Sequence, residues 1–121
     1  APEPEPLRAP PGSPAELITA RAAHWAAAMG ATYGRVRVKD QRTLWGSCTP
    51  RGDLNFNWRL TLAPSEVLDY VVIHELAHRF EMNHSRRFWA VVARHCPEHR
   101  TRRRWLRKNG EALYRAPRPG P

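Results

Sequence analysis

The chain has 121 residues, 41% of them hydrophobic, and a net charge of +9 at pH 7, which indicates one domain with a modest core and a strongly basic surface. No apolar run in the sequence is long enough to cross a membrane, and two cysteines are too few for a disulfide framework. The first residues do not have the charged and then apolar pattern of a secretory signal, so we expect no secretion. We therefore predict a cytoplasmic protein in which Cys48 and Cys96 are free thiols.

Proline-rich segments at the two ends of the chain predict disordered tails. Six of the first fourteen residues are prolines, and the sequence closes with APRPGP. Such composition favours extended, poorly ordered chain. We expect tails over residues 1–12 and 115–121, and a single folded domain over residues 13–114.

The domain is predicted to begin with a helix. Ser13 can cap it, Pro14 suits its first position, and Glu16 completes a capping box with Ser13. The alanine-rich segment that follows is predicted to stop at Gly30.

Three alternating segments then predict strands, at residues 35–39, 42–48 and 53–60, with turns at 40–41 and 49–52. In the third segment one face is apolar, with Leu54, Phe56, Trp58 and Leu60. The other face is polar, with Asn55, Asn57 and Arg59. The pattern predicts a small antiparallel meander with one apolar face.

Three further helices complete the predicted α+β fold. Apolar residues at helical spacing mark a helix at 64–81, and Asn83 is a plausible left-handed stop for it. Ser85 can cap the next helix, at 86–96. A basic helix over 98–110 follows and is predicted to end at its final glycine.

The segment HELAH, residues 74–78, lies on the second predicted helix and indicates a metal site. On a helix, His74 and His78 lie on one face with Cβ atoms roughly 6 Å apart, and both imidazoles can reach one zinc with bonds of about 2.0–2.1 Å. Glu75 is offset by one residue and is placed to contact a water in the open position of the metal. The plainer interpretation is a polar helix, but a buried polar cluster without a partner costs free energy, and a metal would supply that partner.

A catalytic zinc needs a third protein ligand, for which the sequence offers two candidates. His84 follows His78 by six residues, and the chain can turn and bring it back to the other two histidines if the helix ends before it. Glu81 lies one turn after His78, on nearly the same face of the helix. We favour His84, because three neutral imidazoles leave the charge of the dication free to acidify water.

The chemistry predicted from this motif is peptide hydrolysis. Zinc lowers the pKa of its water and polarises the scissile carbonyl, while Glu75 takes the proton of the water and delivers it to the leaving amine. The group that stabilises the oxyanion stays open among several residues: Tyr70, Arg59, His95 and the arginines of the last helix.

Three blocks of the sequence, WGSC at 45–48, GDLNFNWRL at 52–60 and the segment 62–89 with HELAH, resemble the YgjP-like metallopeptidase family. That family looks related to the SprT-like and Wss1-like zinc peptidases, and the resemblance spans roughly residues 18–110. It implies a minimal zincin-like fold, in which an active-site helix carries the metal motif and a third ligand lies downstream. By this resemblance His74, His78 and His84 bind zinc and Glu75 catalyses.

The resemblance also suggests where a substrate binds. The strand at 53–60 would border the cleft, where its edge can pair with an extended protein or peptide substrate. Asn55 and Asn57 on that strand are therefore predicted substrate-binding residues.

Nucleic acid is the other predicted partner. Residues 86–115 carry ten Arg or Lys against two Glu, although arginine also serves as an ordinary surface residue. The predicted contacts are Arg102, Arg103, Arg104 and Arg107. SprT-like and Wss1-like enzymes suggest DNA-bound proteins as substrates; alternatively the chain is a nucleic-acid-binding module with a structural zinc. We expect no membrane partner, and we expect the protein to be a monomer.

Overall fold

The computed structural model describes residues 12–117, so residues 1–11 and 118–121 of the two predicted tails lie outside the described residues. Arg115, predicted to begin the C-terminal tail, belongs instead to the last helix. The elements are α1 (Pro14–Met29), β1 (Val36–Lys39), β2 (Gly46–Cys48), β3 (Leu54–Asn57), a 3-10 helix (Trp58–Leu62), α2 (Ser65–Ala77), α3 (Arg86–His95) and α4 (His99–Arg115). Four helices and a small sheet confirm the predicted α+β class. Within this described part, no helix is long and apolar enough to cross a membrane. Both cysteines are free, as predicted.

Helix α1 begins and ends as the local signals predict. The Ser13 side chain accepts a hydrogen bond from the Glu16 backbone N–H, and the Glu16 carboxylate accepts one from the Ser13 N–H, both at 3.1 Å. Gly30 ends the helix in the left-handed conformation, with φ of 71°. Arg21 then joins α1 to α2 through two hydrogen bonds to the Asp69 carboxylate, at 2.9 and 3.0 Å.

The sheet is mixed, so the prediction of an antiparallel meander is wrong. β3 lies between the other strands, parallel to β1 and antiparallel to β2. After β1 the chain passes over to the far side of β3, forms β2 there, and returns through a tight turn at Gly52, whose φ of 99° requires glycine. Alternation of apolar and polar residues identifies strands but does not specify which neighbours they pair with.

The third strand is shorter than predicted because Asn57 ends it. Its side-chain carbonyl accepts from the Arg59 backbone N–H at 3.1 Å, which caps the 3-10 helix that replaces the second half of the predicted strand. Its amide nitrogen donates to the carbonyls of Gln41 and Leu44 at 3.0 and 3.1 Å and to the Tyr114 hydroxyl at 2.9 Å. Asn57 is fully buried, so these bonds hold together segments that lie far apart in the sequence.

Helix α2 occupies the centre of the molecule. It contacts α1, α3, α4, β2 and the 3-10 helix, which explains why most of its side chains are apolar and buried. The apolar residues at helical spacing that marked this helix are all buried: Val67, Leu68, Val71, Val72 and Leu76. A helix enclosed in this way holds the side chains of its C-terminal half in fixed positions.

Helix α4 passes through Gly110 and ends at Arg115, five residues later than predicted. Gly110 is buried, and a Cβ atom added there would lie 3.1 Å from Cζ2 of Trp45, so this glycine allows the helix to approach the indole closely. The last turn is bonded to the rest of the fold through Tyr114, whose ring centroid lies 5.2 Å from that of Trp45. Gly110 is therefore a packing residue and not a helix end.

Candidate metal centre and active site

The chain turns sharply where the motif on α2 ends. The helix stops at Ala77, with His78 as its capping residue, four residues before the predicted end. The next N–H groups bond three residues back instead of four, as in a tightened last turn. Asn83 does not provide a left-handed stop, because no non-glycine residue between 12 and 117 has positive φ. Arg79 instead fixes the segment by donating to the Thr32 carbonyl at 2.7 Å.

This turn brings three histidines together. The metal-binding atoms of His74, His78 and His84 all lie within 4.8 Å of one another. Their ring centroids are 4.8 to 5.4 Å apart. Glu81, the competing candidate, is not in this cluster, and one of its carboxylate oxygens lies 4.0 Å from Nε of Arg87.

The cluster has the chemistry that a metal requires. Nδ1 of His78 lies 3.2 Å from the Glu81 backbone carbonyl, which can only accept, so Nδ1 carries the proton and Nε2 is left with its lone pair. Burial lowers the pKa of His74 to about 3, and it also lowers the pKa of His78, so both rings are neutral at pH 7. Nitrogens on one tetrahedral zinc lie roughly 3.4 Å apart, so metal binding would draw the three donors closer together, and the exposed side chain of His84 has room to move.

A buried aromatic ring supports all three histidines. Phe88 is fully buried, and its centroid lies 5.0, 4.6 and 4.8 Å from those of His74, His78 and His84. Ser85 accepts from the Phe88 N–H at 3.3 Å and so fixes the start of α3. This role was not predicted from the sequence. The available signal was a large apolar residue one helical turn after His84.

Glu75 is a buried carboxylic acid beside the cluster. Its residue surface is only 5% exposed, and burial raises its pKa from 4.5 to about 8. Strand β2 passes directly over it. A Cβ atom at Gly46 would lie 3.0 Å from Glu75 Cγ and 3.1 Å from Oε2, so a glycine in the strand leaves room for the carboxyl group.

His74 and Glu75 open into a cavity of about 370 Å³, bounded also by Trp45, Gly46 and Tyr70, and by Arg103 and Arg107 of α4. Three of the oxyanion candidates therefore lie at the cavity: Tyr70, whose hydroxyl is 3.5 Å from His74 Nδ1, and two of the α4 arginines, Arg103 and Arg107. Arg59 lies elsewhere, with Nη1 2.8 Å from Asp40. His95 packs near Trp25.

The predicted peptide-binding strand needs correction. β3 has neighbours on both sides, so its edges are not free to pair with a substrate; the free edge near Glu75 belongs to β2. Asn57 has no exposed surface, and its amide bonds only to the chain itself, which gives it a structural role. Asn55 is 8% exposed and donates to Ser47 Oγ at 3.2 Å.

The family model described as "YgjP-like, metallopeptidase domain" matches residues 13–109. The chain belongs to the YgjP-like metallopeptidase family. Membership supports a peptidase that acts on proteins or peptides and implies a metal ion. No curated protein matches the chain significantly.

Solved structures show the same fold as this YgjP-like domain. The metallopeptidase zymogen abylysin of Pyrococcus abyssi matches with a TM-score of 0.67 and 22% identity, over 75% of this chain and 93% of that chain. The metallopeptidase zymogen jannalysin of Methanocaldococcus jannaschii matches with a TM-score of 0.61 and 19% identity, over 75% and 95%. These likenesses confirm the minimal metallopeptidase architecture that the resemblance implies.

The four arginines predicted to bind nucleic acid do not form one surface of the YgjP-like domain. Arg103 and Arg107 line the cavity beside Glu75. Arg102 and Arg104 line a separate hollow beside Pro64. Binding of nucleic acid, like the cytoplasmic location and the monomeric state, stays a prediction.

The buried acid predicts a pH effect on stability. With a chelator present, Glu75→Gln is expected to be more stable than the unchanged YgjP-like domain, by a margin that grows between pH 5 and 8. The pKa of Glu75 is raised in the folded protein. Below about pH 4.5 its carboxyl group is therefore protonated in both the folded and the unfolded protein, and its ionisation does not affect stability. Above about pH 8 it is ionised in both, and the folded protein bears the full cost of the buried charge. The expected gain at pH 8 is about 1–4 kcal/mol in free energy of unfolding.

Urea denaturation of both proteins at pH 5, 6, 7 and 8 measures this margin. Taking the difference between the two proteins at each pH cancels the titration of the histidines. A margin that is the same at every pH would contradict the assignment, since a pH-independent difference reflects altered packing and not ionisation.

Proposed function

We propose that the chain is a zinc-dependent endopeptidase that hydrolyses internal peptide bonds of unfolded proteins or peptides. The observation that carries this proposal is the convergence of three imidazoles beside one buried carboxyl group, at the wall of an open cavity. Three neutral nitrogen donors with a fourth position left open are typical of a catalytic zinc site, whereas structural sites use four protein ligands.

The residues proposed to hold the metal are His74, His78 and His84. When bound there, zinc would supply a Lewis acid that polarises the scissile carbonyl and acidifies a water. The carbonyl of Glu81 orients the ring of His78 through Nδ1, and Phe88 supports all three rings, so the donors are held in place by their neighbours.

Glu75 is proposed as the general base and then the general acid. Its carboxylate accepts a proton from the attacking water, and the resulting acid donates this proton to the amine nitrogen as the C–N bond breaks. Burial favours the protonated form, which assists the second transfer. We assign Tyr70 to the developing oxyanion, since its hydroxyl lies beside His74 on the cavity wall.

Metal content and proteolysis together test this function. The purified protein is expected to hold about one zinc per chain and to cleave an unfolded casein-type substrate. A chelator should abolish the cleavage and added zinc should restore it. His84→Ala is expected to lower the retained zinc and to reduce cleavage at least about 100-fold, because two imidazoles alone do not complete a catalytic site.

The matched control is His24→Ala, which removes an exposed histidine from α1. It should leave zinc content and cleavage unchanged. A protein that binds one zinc tightly but cleaves no unfolded substrate would contradict the enzyme function and would indicate a structural metal.

A further inference from the structure

Two arginines line the cavity that contains the proposed reaction centre. Arg103 and Arg107 are one turn apart on α4, so they lie on the same face of the helix. Leu106 beside them is buried and anchors this face to the core. His74 and Glu75 belong to the lining of the same cavity, so any group that approaches the reaction centre through it passes the two guanidinium groups.

Neither guanidinium has a carboxylate partner among residues 12–117. The ion pairs of the described chain involve Arg21, Arg59, Arg87 and Arg115. Arg103 is instead placed by an aromatic contact, with its Cζ atom 5.8 Å from the centroid of the Trp89 ring. Trp89 is itself stacked on His99, with centroids 5.2 Å apart. Arg103 is therefore positioned by packing, and its guanidinium N–H groups can donate to a bound substrate.

The basic character continues beyond this cavity. Arg103 also borders a second hollow of about 530 Å³, on whose rim Arg86 and Arg100 lie. Arg103 belongs to the lining of both hollows, so arginine side chains lie at each of them. Among residues 12–117, Glu75 is the one acid that lines the first cavity, and the two guanidinium groups outnumber it. The local charge therefore favours a negatively charged substrate group.

We propose that this cavity selects substrates with an aspartate or glutamate side chain next to the scissile bond, and that Arg103 and Arg107 bind its carboxylate. The proposal rests on the endopeptidase function and names the substrate class for it. Guanidinium groups match carboxylates through paired N–H donors, and such charge-assisted bonds are the stronger ones in proteins. Trp45 and Tyr70 supply the flat walls against which the methylene groups of the acid pack.

Fluorogenic peptides test this selectivity. Sites of cleavage in a casein-type protein are first mapped by mass spectrometry, and peptides are made with Glu, Gln or Lys on either side of the cleaved bond. The Glu peptide is expected to have a kcat/KM about 10–100-fold above that of the Gln peptide, since hydrogen bonds to charged groups contribute roughly 1.5–3 kcal/mol. The Lys peptide should be the poorest, and the Glu preference should shrink as salt is raised.

Variants assign the preference to the two arginines. Arg103→Gln combined with Arg107→Gln is expected to bring the ratio of kcat/KM values for the Glu and Gln peptides close to one. The matched control is Arg102→Gln with Arg104→Gln. It removes the same charge from the same helix, but at the separate hollow beside Pro64. This control should keep the preference. Anisotropy of labelled peptides bound to Glu75→Gln measures the same ratio without catalysis.

The outcomes separate the two proposals. If no peptide is cleaved, the endopeptidase function fails and the selectivity fails with it. If the Glu and Gln peptides are cleaved and bound equally well, the selectivity alone is overturned. Equal peptide binding, together with oligonucleotide binding that is lost in the Arg103 and Arg107 double variant, would assign these arginines to nucleic acid and would also overturn the proposal.

Discussion

Glu75→Gln is expected to retain zinc and to lose peptide hydrolysis by a factor of at least about 100, since a positioned general base contributes about 10²–10⁴ to the rate. Glutamine has nearly the same shape, so it fits under β2 at Gly46 as glutamate does. It cannot accept a proton from water at neutral pH. The loss should therefore appear in kcat, with little change in KM.

The measurement is steady-state hydrolysis of one fluorogenic peptide, together with zinc content by mass spectrometry. Glu66→Gln is the matched control, because it makes the same substitution at an exposed position in the first turn of the same helix. It should keep both activity and metal. Activity of Glu75→Gln within about threefold of the unchanged protein would remove Glu75 from the chemistry.

Phe88→Ala is expected to lower the free energy of unfolding by about 3–5 kcal/mol and to weaken zinc binding. The ring is fully buried, and its removal leaves a cavity under the three imidazoles. Total stabilities of small domains are about 5–15 kcal/mol, so this loss is a large fraction of the whole. Zinc binding weakens because the histidines then move among more rotamers before the metal orders them.

Two further variants make this result specific. Phe80→Ala removes the same side chain from a position that is 45% exposed, and it should change stability by no more than about 0.5 kcal/mol. Phe88→Leu keeps most of the volume and should cost less than Phe88→Ala. Urea denaturation with a chelator gives the stability, and titration with a zinc indicator gives the affinity. Equal losses for Phe80→Ala and Phe88→Ala would contradict the role of the buried ring.

Local signals in the sequence predicted the features that depend on neighbouring residues. The capping box at Ser13 and the cap at Ser85 are correct, because each needs only residues three positions away. The spacing of His74 and His78 predicted a shared helix face for the same reason. His84 was harder to place, yet the prediction that the chain turns back before it is consistent with the observed cluster.

Features that depend on distant segments were not predictable in this way. The position of β3 between β1 and β2 depends on how the whole chain packs. The alternation of apolar and polar residues along one strand contains no information about this order. Gly110 was predicted to end a helix, because the sequence does not show that it packs against Trp45. Likewise, the four arginines predicted to bind nucleic acid lie close together in the sequence, whereas the rotation of the helix divides them between two hollows.

The attachment of the last helical turn to the sheet has a practical consequence for recombinant work. Tyr114 accepts from Asn57 and packs against Trp45, which borders the cavity. A chain that ends at residue 109, where the family match ends, would contain every proposed zinc ligand but would lack the contacts of Tyr114 with Asn57 and Trp45. A truncation at the C-terminal end should therefore keep the whole of α4, up to Arg115.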